Sequence, residues 1–337
     1  MKAYALQDGF GIENVKEVDR PIPVPARGEV LLRMKAVSLN ARDITIINGY
    51  YDPNLKEPLI PVSDGVGEIV ALGEGAGKFK IGERVSPTFT QGWKSGEPTK
   101  EHWASTLGYP LHGLLAEYVV LPEDGLVRVP SFLTDTEAAA LPCAGVTAWH
   151  AIVEEGRVKA GDTVVVQGTG GVSLFALQFA KLQGAQVIVT SSSDSKLARA
   201  YELGADYGIN YKDNPEWDQA VLARTQGKGA DHIVDLGGAA TLNHSISALK
   251  VGGQISVVGL LSGVSVEGLA LVPALLKSAR LQAINVGSRS MFENMISAIE
   301  HHRLRPVVDA EYPFSDSIKA LTHLAKGSYF GKIGIRF

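Results

Sequence analysis

Between Val164 and Ser193 the chain reads VVVQGTGGVSLFALQFAKLQGAQVIVTSSS, an apolar run, a glycine-rich turn, a helix-periodic run and a second apolar run ending in hydroxyls. Glycine without a Cβ lets the backbone of Gly168, Thr169, Gly170, Gly171 and Val172 come close to a pyrophosphate, and the N-terminus of the helix that follows favours the anion. Many strand-to-helix turns carry glycine for its φ freedom and bind nothing. Here the strand, turn, helix and next strand complete one unit of about thirty residues, which is the context the fingerprint requires. Ser173 replaces the third glycine and is small enough to keep the helix near the strand.

The end of the second strand decides which dinucleotide fits. An Asp or Glu there bonds both hydroxyls of the adenosine ribose and selects NAD. This chain has Thr190, Ser191, Ser192 and Ser193, with Lys196 in the helix after them. A 2′-phosphate is not repelled at the serines, and the Lys196 ammonium pairs with it, so NADPH is the expected cofactor and NADH the lesser one. Asp194 is the one acid that would serve NAD.

These residues must be held by a suitable frame. The 337 residues suggest two domains, and 45% hydrophobic with 20% charged residues fits globular cores and excludes general disorder. A formal charge of −4 without a basic block argues against nucleic acid or an anionic membrane as partner. Cys143 is the single cysteine, so no internal disulfide and no multi-thiolate zinc site is expected, and a reducing cytoplasmic setting fits. Met1 to Phe10 lacks the apolar core of a signal peptide. The apolar stretch Ile255 to Leu276 is broken by Gly259, Gly263, Glu267, Gly268 and Pro273, and reads as strand, loop and helix rather than a membrane span.

Up to about Pro130 short β-rich runs alternate with Gly and Pro, as at Val30 to Ala36, Gly67 to Leu72 and Ala116 to Leu121. A connecting helix is expected from Glu137 to Ile152. Strands at Thr163 to Gln167, Gln186 to Thr190, His232 to Asp235, Gln254 to Gly259 and Leu281 to Val286 then alternate with helices, the signature of a parallel sheet covered on both faces. One or two helices and a strand from Gly331 to Phe337 follow, expected to return to the first domain. The fold class is α/β.

Several segments resemble, in order, the medium-chain dehydrogenase/reductase superfamily: MKAYAL, SLNARDITIINGYY from Ser38, PVSDGVGEIVALGEG from Pro61, GERV from Gly82, LPCAGVTAWHAI from Leu141 and FGKIGIRF from Phe330. The resemblance implies a GroES-like β-rich catalytic domain, residues 1–144 plus 289–337, and a Rossmann doubly wound domain, residues 145–288. The zinc alcohol dehydrogenases of that superfamily place zinc ligands where this chain has Asn40, then Val62, Ser63 and Asp64, then Cys143. One potential ligand survives, and the four-Cys structural lobe is absent. The chain is therefore similar to the zinc-independent branch, near quinone oxidoreductases and enone or enoyl-thioester reductases. Cys143 reads as a buried small hydrophobe.

The same resemblance assigns Tyr211, with Lys196, to the 2′-phosphate, and Thr147, Gly259 and Leu260 to the nicotinamide pocket. Ser288 and Arg289, after the last strand of the sheet, are further expected cofactor contacts. For the acceptor it implies Asn40, Asp43, Tyr51, Ser63 and Asp64, with Asn40 orienting substrate and Tyr51 matching the proton-donating Tyr of enoyl-thioester reductases. The expected reaction is hydride transfer from NADPH to a small electron-poor acceptor, a quinone, enone or enal, without a metal. Zinc-independent alcohol or aldehyde oxidation, enoyl-thioester reduction and a crystallin-like NADPH-binding protein without turnover are the alternatives. Thr88 to His112, with Phe89, Trp93, Trp103 and Tyr109, is either a cap over the substrate or a loop folded on itself. Family members often pair through the edge strand near Leu281 to Val286, so a homodimer is expected.

Overall fold

The computed structural model describes residues 1–55 and 58–337. It divides into two compact units, Met1–Val146 with Val286–Phe337, and Thr147–Asn285.

The first unit contains β1 (Lys2–Leu6), β2 (Val15–Asp19), β3 (Glu29–Ser38), β4 (Asp64–Leu72), β5 (Arg84–Pro87), β6 (Tyr118–Pro122) and β7 (Leu126–Arg128). The second contains β8 (Thr163–Gln167), β9 (Gln186–Ser191), β10 (Tyr207–Asn210), β11 (Ala230–Asp235), β12 (Leu249–Val257) and β13 (Arg280–Ala283). The tail returns β14 (Val308–Pro313) and β15 (Lys332–Arg336) to the first unit. The helices used below are α1 (Ala41–Ile47), α2 (Gly171–Leu182), α3 (Asp194–Glu202), α4 (Trp217–Arg224), α5 (Leu242–Ala248), α6 (Arg289–His302) and α7 (Ser317–Lys326).

The second unit is one parallel sheet in the order β10-β9-β8-β11-β12-β13. Val164, Val165 and Val166 on β8 are all fully buried, which is why the strand is a continuous apolar run rather than an alternating one. Strand order reverses between β8 and β11, and the loops after these two strands are where a ligand of an open α/β sheet binds.

The first unit is a sheet in the order β14-β15-β3-β4-β5-β7, with β6 paired to β3 and β1–β2 forming a separate antiparallel pair. Its core runs from Leu6 and Val30 through Leu32, Ile69 and Val85 to Ile333 and Ile335. β15 pairs in parallel with β14 and antiparallel with β3, so Lys332 enters the sheet beside Leu39 and Asn40.

Two stretches differ from the sequence expectation. The helix expected from Glu137 to Ile152 is broken into an α turn, Asp135–Ala139, a wider π turn, Leu141–Gly145, then Val146–Trp149 and a second π turn, His150–Glu154. Pro142 lacks an N–H and crowds the preceding turn, and the ladder widens around it. β10 and α4 were not expected, because a four-residue strand with Gly208 inside and a short eight-residue helix carry little periodic signal. In the insertion Thr88 to His112, Phe89 and Trp93 are buried, the Trp93 indole donates to the Gly96 carbonyl (2.9 Å), and Thr90 bridges Thr106. Those two rings pack within the loop itself, while Trp103 and Tyr109 are only partly buried.

Candidate active site

The phosphate cradle forms as a strand–turn–helix. Gly168 has φ +74°, which a side chain would strain, and its N–H donates to the Thr190 carbonyl of β9 at 2.8 Å. Gly170 precedes α2 without any side chain capping it, and a Cβ built there meets nothing within 4 Å. The first N–H groups of a twelve-residue helix thus open onto free space, the arrangement that takes an anion. Ser173 is buried and its hydroxyl donates to the Gln167 carbonyl (2.8 Å), tying the helix to the strand where the fingerprint has glycine.

Gln167 and Asp235, which the sequence reading did not single out, hold the switch point together. Gln167 Nε2 donates to Asp235 Oδ2 (3.1 Å) and Ser245 Oγ (2.9 Å), while its Oε1 accepts from the N–H groups of Leu236 and Gly237. Gly259 donates to the Asp235 carbonyl, and a Cβ on it would stand 2.4 Å from the Leu236 carbonyl oxygen, so only glycine fits. Leu260 beside it is exposed, and Thr147 is buried.

At the end of β9, the register Asn210↔Ser191 and the bond from Tyr211 N–H to the Ser191 carbonyl (3.0 Å) bring Ser191 and Tyr211 together. Ser193 caps α3, accepting from the Lys196 N–H, which sets Lys196 on the first turn and Ser192 just before the cap. Asp194 accepts from the Asn210 amide (2.9 Å). Ser288 and Arg289 lie in the first unit. Ser288 caps α6, and Arg289 donates to the Asp124 carbonyl (3.0 Å) and to Glu293 (2.9 Å), which gives both a structural task.

In the first unit Asn40, Asp43, Ser63 and Asp64 assemble around a lysine. Asn40 precedes α1 as its cap, and its N–H donates to Asp43 Oδ2 at 2.8 Å. Val62 takes φ +76°, a strained conformation for a β-branched residue, held by the Leu114 N–H on its carbonyl (2.7 Å), and it turns the chain into Ser63 and Asp64. Asp64 is fully buried. It accepts from the Ser63 hydroxyl (3.0 Å) and the Cys143 N–H (3.1 Å), the latter in the turn that Pro142 widens. Lys332, only 3% exposed, donates to the Leu39 carbonyl (2.7 Å) and Asn40 Oδ1 (2.5 Å), and its ammonium lies 3.9 Å from Asp64 Oδ2.

Burial dominates the electrostatics of this cluster. It raises Asp43 to about 6, against the opposing pull of the Asn40 N–H and Arg42. It also raises Asp64, with Lys332 the main group opposing that rise. Burial, then the charge of Asp64, raises the Cys143 thiol, which makes it a poor nucleophile and a poor thiolate donor. Arg42, unremarked in the sequence, donates to the carbonyls of Leu107 (3.0 Å) and Tyr109 (2.6 Å) and lies over the rings of Tyr51 and Phe89. It thereby pins the insertion to α1. Tyr51 is half exposed, edge-on to Tyr109, whose hydroxyl donates to Asp52.

Residues 26–131 match a family model described as alcohol dehydrogenase GroES-like domain, and residues 171–301 one described as zinc-binding dehydrogenase. A zinc-type alcohol dehydrogenase-like protein of Schizosaccharomyces pombe is 40% identical over 340 residues, covering 99% of this chain and 98% of that protein. The crystal structure of an NAD-dependent alcohol dehydrogenase matches with a TM-score of 0.92 at 34% identity, and a mycobacterial protein complexed with NADPH matches with 0.83 at 26%, each over the full length of both chains. With the glycine cradle at the switch point and the GroES-like sheet, these matches place the chain in the medium-chain dehydrogenase/reductase family, and it is an oxidoreductase.

The zinc implied by one of those family descriptions does not fit the residues present. Among the described residues no group of three His, Cys, Asp or Glu side chains converges on one point. Of the two carboxylates at the site, Asp43 accepts from the Asn40 N–H and Asp64 faces an ammonium, and the Cys143 thiol keeps its proton. The cradle of α2, by contrast, fits a pyrophosphate.

Proposed function

We propose that the protein reduces an activated acceptor, an enone, enal or quinone, with NADPH and without a metal. The observation that carries this reading is the Asn40–Asp64–Lys332 cluster, in which two residues that match the zinc-ligand segments of the zinc alcohol dehydrogenases are instead held by a buried ammonium. When bound, the reduced nicotinamide supplies a hydride to the β-carbon of the acceptor. The residues Gly168 to Val172 take the pyrophosphate on the open N-terminus of α2, Ser191, Ser192, Lys196 and Tyr211 take the 2′-phosphate, and Thr147, Gly259 and Leu260 line the nicotinamide. Ser288, which also caps α6, and Arg289, which also holds Asp124 and Glu293, are further proposed cofactor contacts.

As the β-carbon accepts the hydride, the electrons of the double bond move to the carbonyl oxygen. Asn40 donates to that oxygen, and Asp43, Ser63 and Asp64 fix its surroundings. The Tyr51 hydroxyl, on a half-exposed side chain that exchanges protons with water, gives the α-carbon its proton. Reduction of an enone with NADPH deuterated at C4, followed by mass spectrometry of the product, tests the reading. Deuterium at the β-carbon of a saturated ketone supports it; deuterium at the carbonyl carbon shows carbonyl reduction instead.

We further propose a homodimer formed along β13. That strand ends the sheet, its side chains face solvent, and Leu271, Val272, Leu275 and Leu276 next to it are exposed.

A further inference from the structure

β15 reads KIGIR, and a strand paired on both sides with Ile333 and Ile335 fully buried is no ordinary place for a lysine. Gly331 delivers Lys332 there: its φ is +87°, and a Cβ would stand 2.4 Å from the Val307 carbonyl oxygen. A buried ammonium persists only when its hydrogens are matched, and here Leu39 O, Asn40 Oδ1 and the Asp64 carboxylate surround it.

An ammonium donates and never accepts. Asn40 can therefore face Lys332 only with Oδ1, and its NH2 group must point the other way. The backbone of the same residue is held by Asp43, so the amide is fixed from both sides. Nδ2 is near enough to Asp64 to help hold that charge, yet it is buried and makes no hydrogen bond of normal geometry. Of its two hydrogens at least one remains for another acceptor.

We infer that Lys332 is a positioning residue of the acceptor site: it sets the Asn40 amide with its NH2 group toward the carbonyl oxygen of the substrate. The opposite flip would aim a lone pair at an oxygen that gains negative charge, and would repel it. The ammonium also balances Asp64, whose carboxylate would otherwise oppose the same charge. The inference rests on the hydride-transfer reading and adds a residue to it.

Two variants test it in the whole 337-residue chain. Asn40→Asp keeps an acceptor for Lys332 and loses the NH2 donor. Lys332→Met combined with Asp64→Asn removes both charges, so that no buried carboxylate is left unpaired. Each is expected to lower kcat for an enone by about 100-fold or more while KM for NADPH changes less than about threefold. A readout without turnover is the carbonyl stretch of the enone in a dead-end complex with NADP+, expected at lower frequency than in solution for the wild type and near the solution value in both variants. Melting temperatures close to wild type separate this from misfolding. Variants that keep the wild-type kcat and carbonyl stretch overturn the inference and leave the hydride-transfer reading standing. A wild type that reduces no acceptor and shifts no carbonyl stretch overturns both.

Discussion

Gln167 and Asp235 close the end of the parallel sheet on each other: the Gln167 amide nitrogen lies 3.1 Å from Asp235 Oδ2, joining the last residue of β8 to the last of β11. The two glycine-bearing loops of the dinucleotide unit start from this pair. Gln167→Leu would leave the N–H groups of Leu236 and Gly237 without their acceptor. An unfolding free energy lower by about 2–3 kcal/mol in urea is expected, with weaker NADPH binding. Unchanged stability would show that water replaces the amide.

The proposed preference for NADPH rests on the residues gathered at the end of β9. Lys196→Ala is expected to weaken NADPH binding about tenfold and to leave NADH binding unchanged, since an exposed ion pair is worth on the order of 1 kcal/mol. Fluorescence titration with both nucleotides reads it. Equal loss for both would move Lys196 from specificity to structure.

Asp43 gives a pH-dependent term of known sign. Its folded pKa of about 6 lies above the unfolded value of 3.8, so the folded state holds the proton more tightly. The stability it contributes is full below about pH 4 and is lost as pH rises through about 6, a change on the order of 3 kcal/mol. Asp43→Asn cannot titrate, so the stability difference between variant and wild type should move by that amount between pH 4 and 7. A difference that stays constant would contradict the burial effect.

The proposed dimer is tested by Leu275→Glu with Leu276→Glu, two exposed positions beside β13. Sedimentation of the wild type as a dimer and the variant as a monomer is expected. A monomeric wild type would remove the dimer.

How much of this was legible in the sequence follows from the range of each interaction. The cradle was, because Gly168, Gly170 and Gly171 act within a local strand–turn–helix whose strand is Val164 to Val166. The role of Lys332 was not. Its partner Asn40 is 292 positions away, and nothing short-range marks a lysine in KIGIR as buried rather than at an edge. Gln167 reads equally well as a polar residue ending a strand, and its four partners come from β11, the loop after it and α5. Arg42 was invisible for the same reason, since its acceptors are on the insertion. The broken helix around Pro142 was locally readable, for a proline inside an apolar-periodic run does not pass through an α-helix unnoticed.

The central claim is metal-free reduction of an activated acceptor by NADPH. Its most direct test is anaerobic NADPH oxidation by protein stripped of metal, offered a trans-2-enone and an ortho-quinone side by side, with NADH in parallel. Turnover of at least one acceptor that prefers NADPH and is indifferent to added zinc is the expected result. No turnover without zinc, and recovery of alcohol oxidation when zinc is returned, would contradict it.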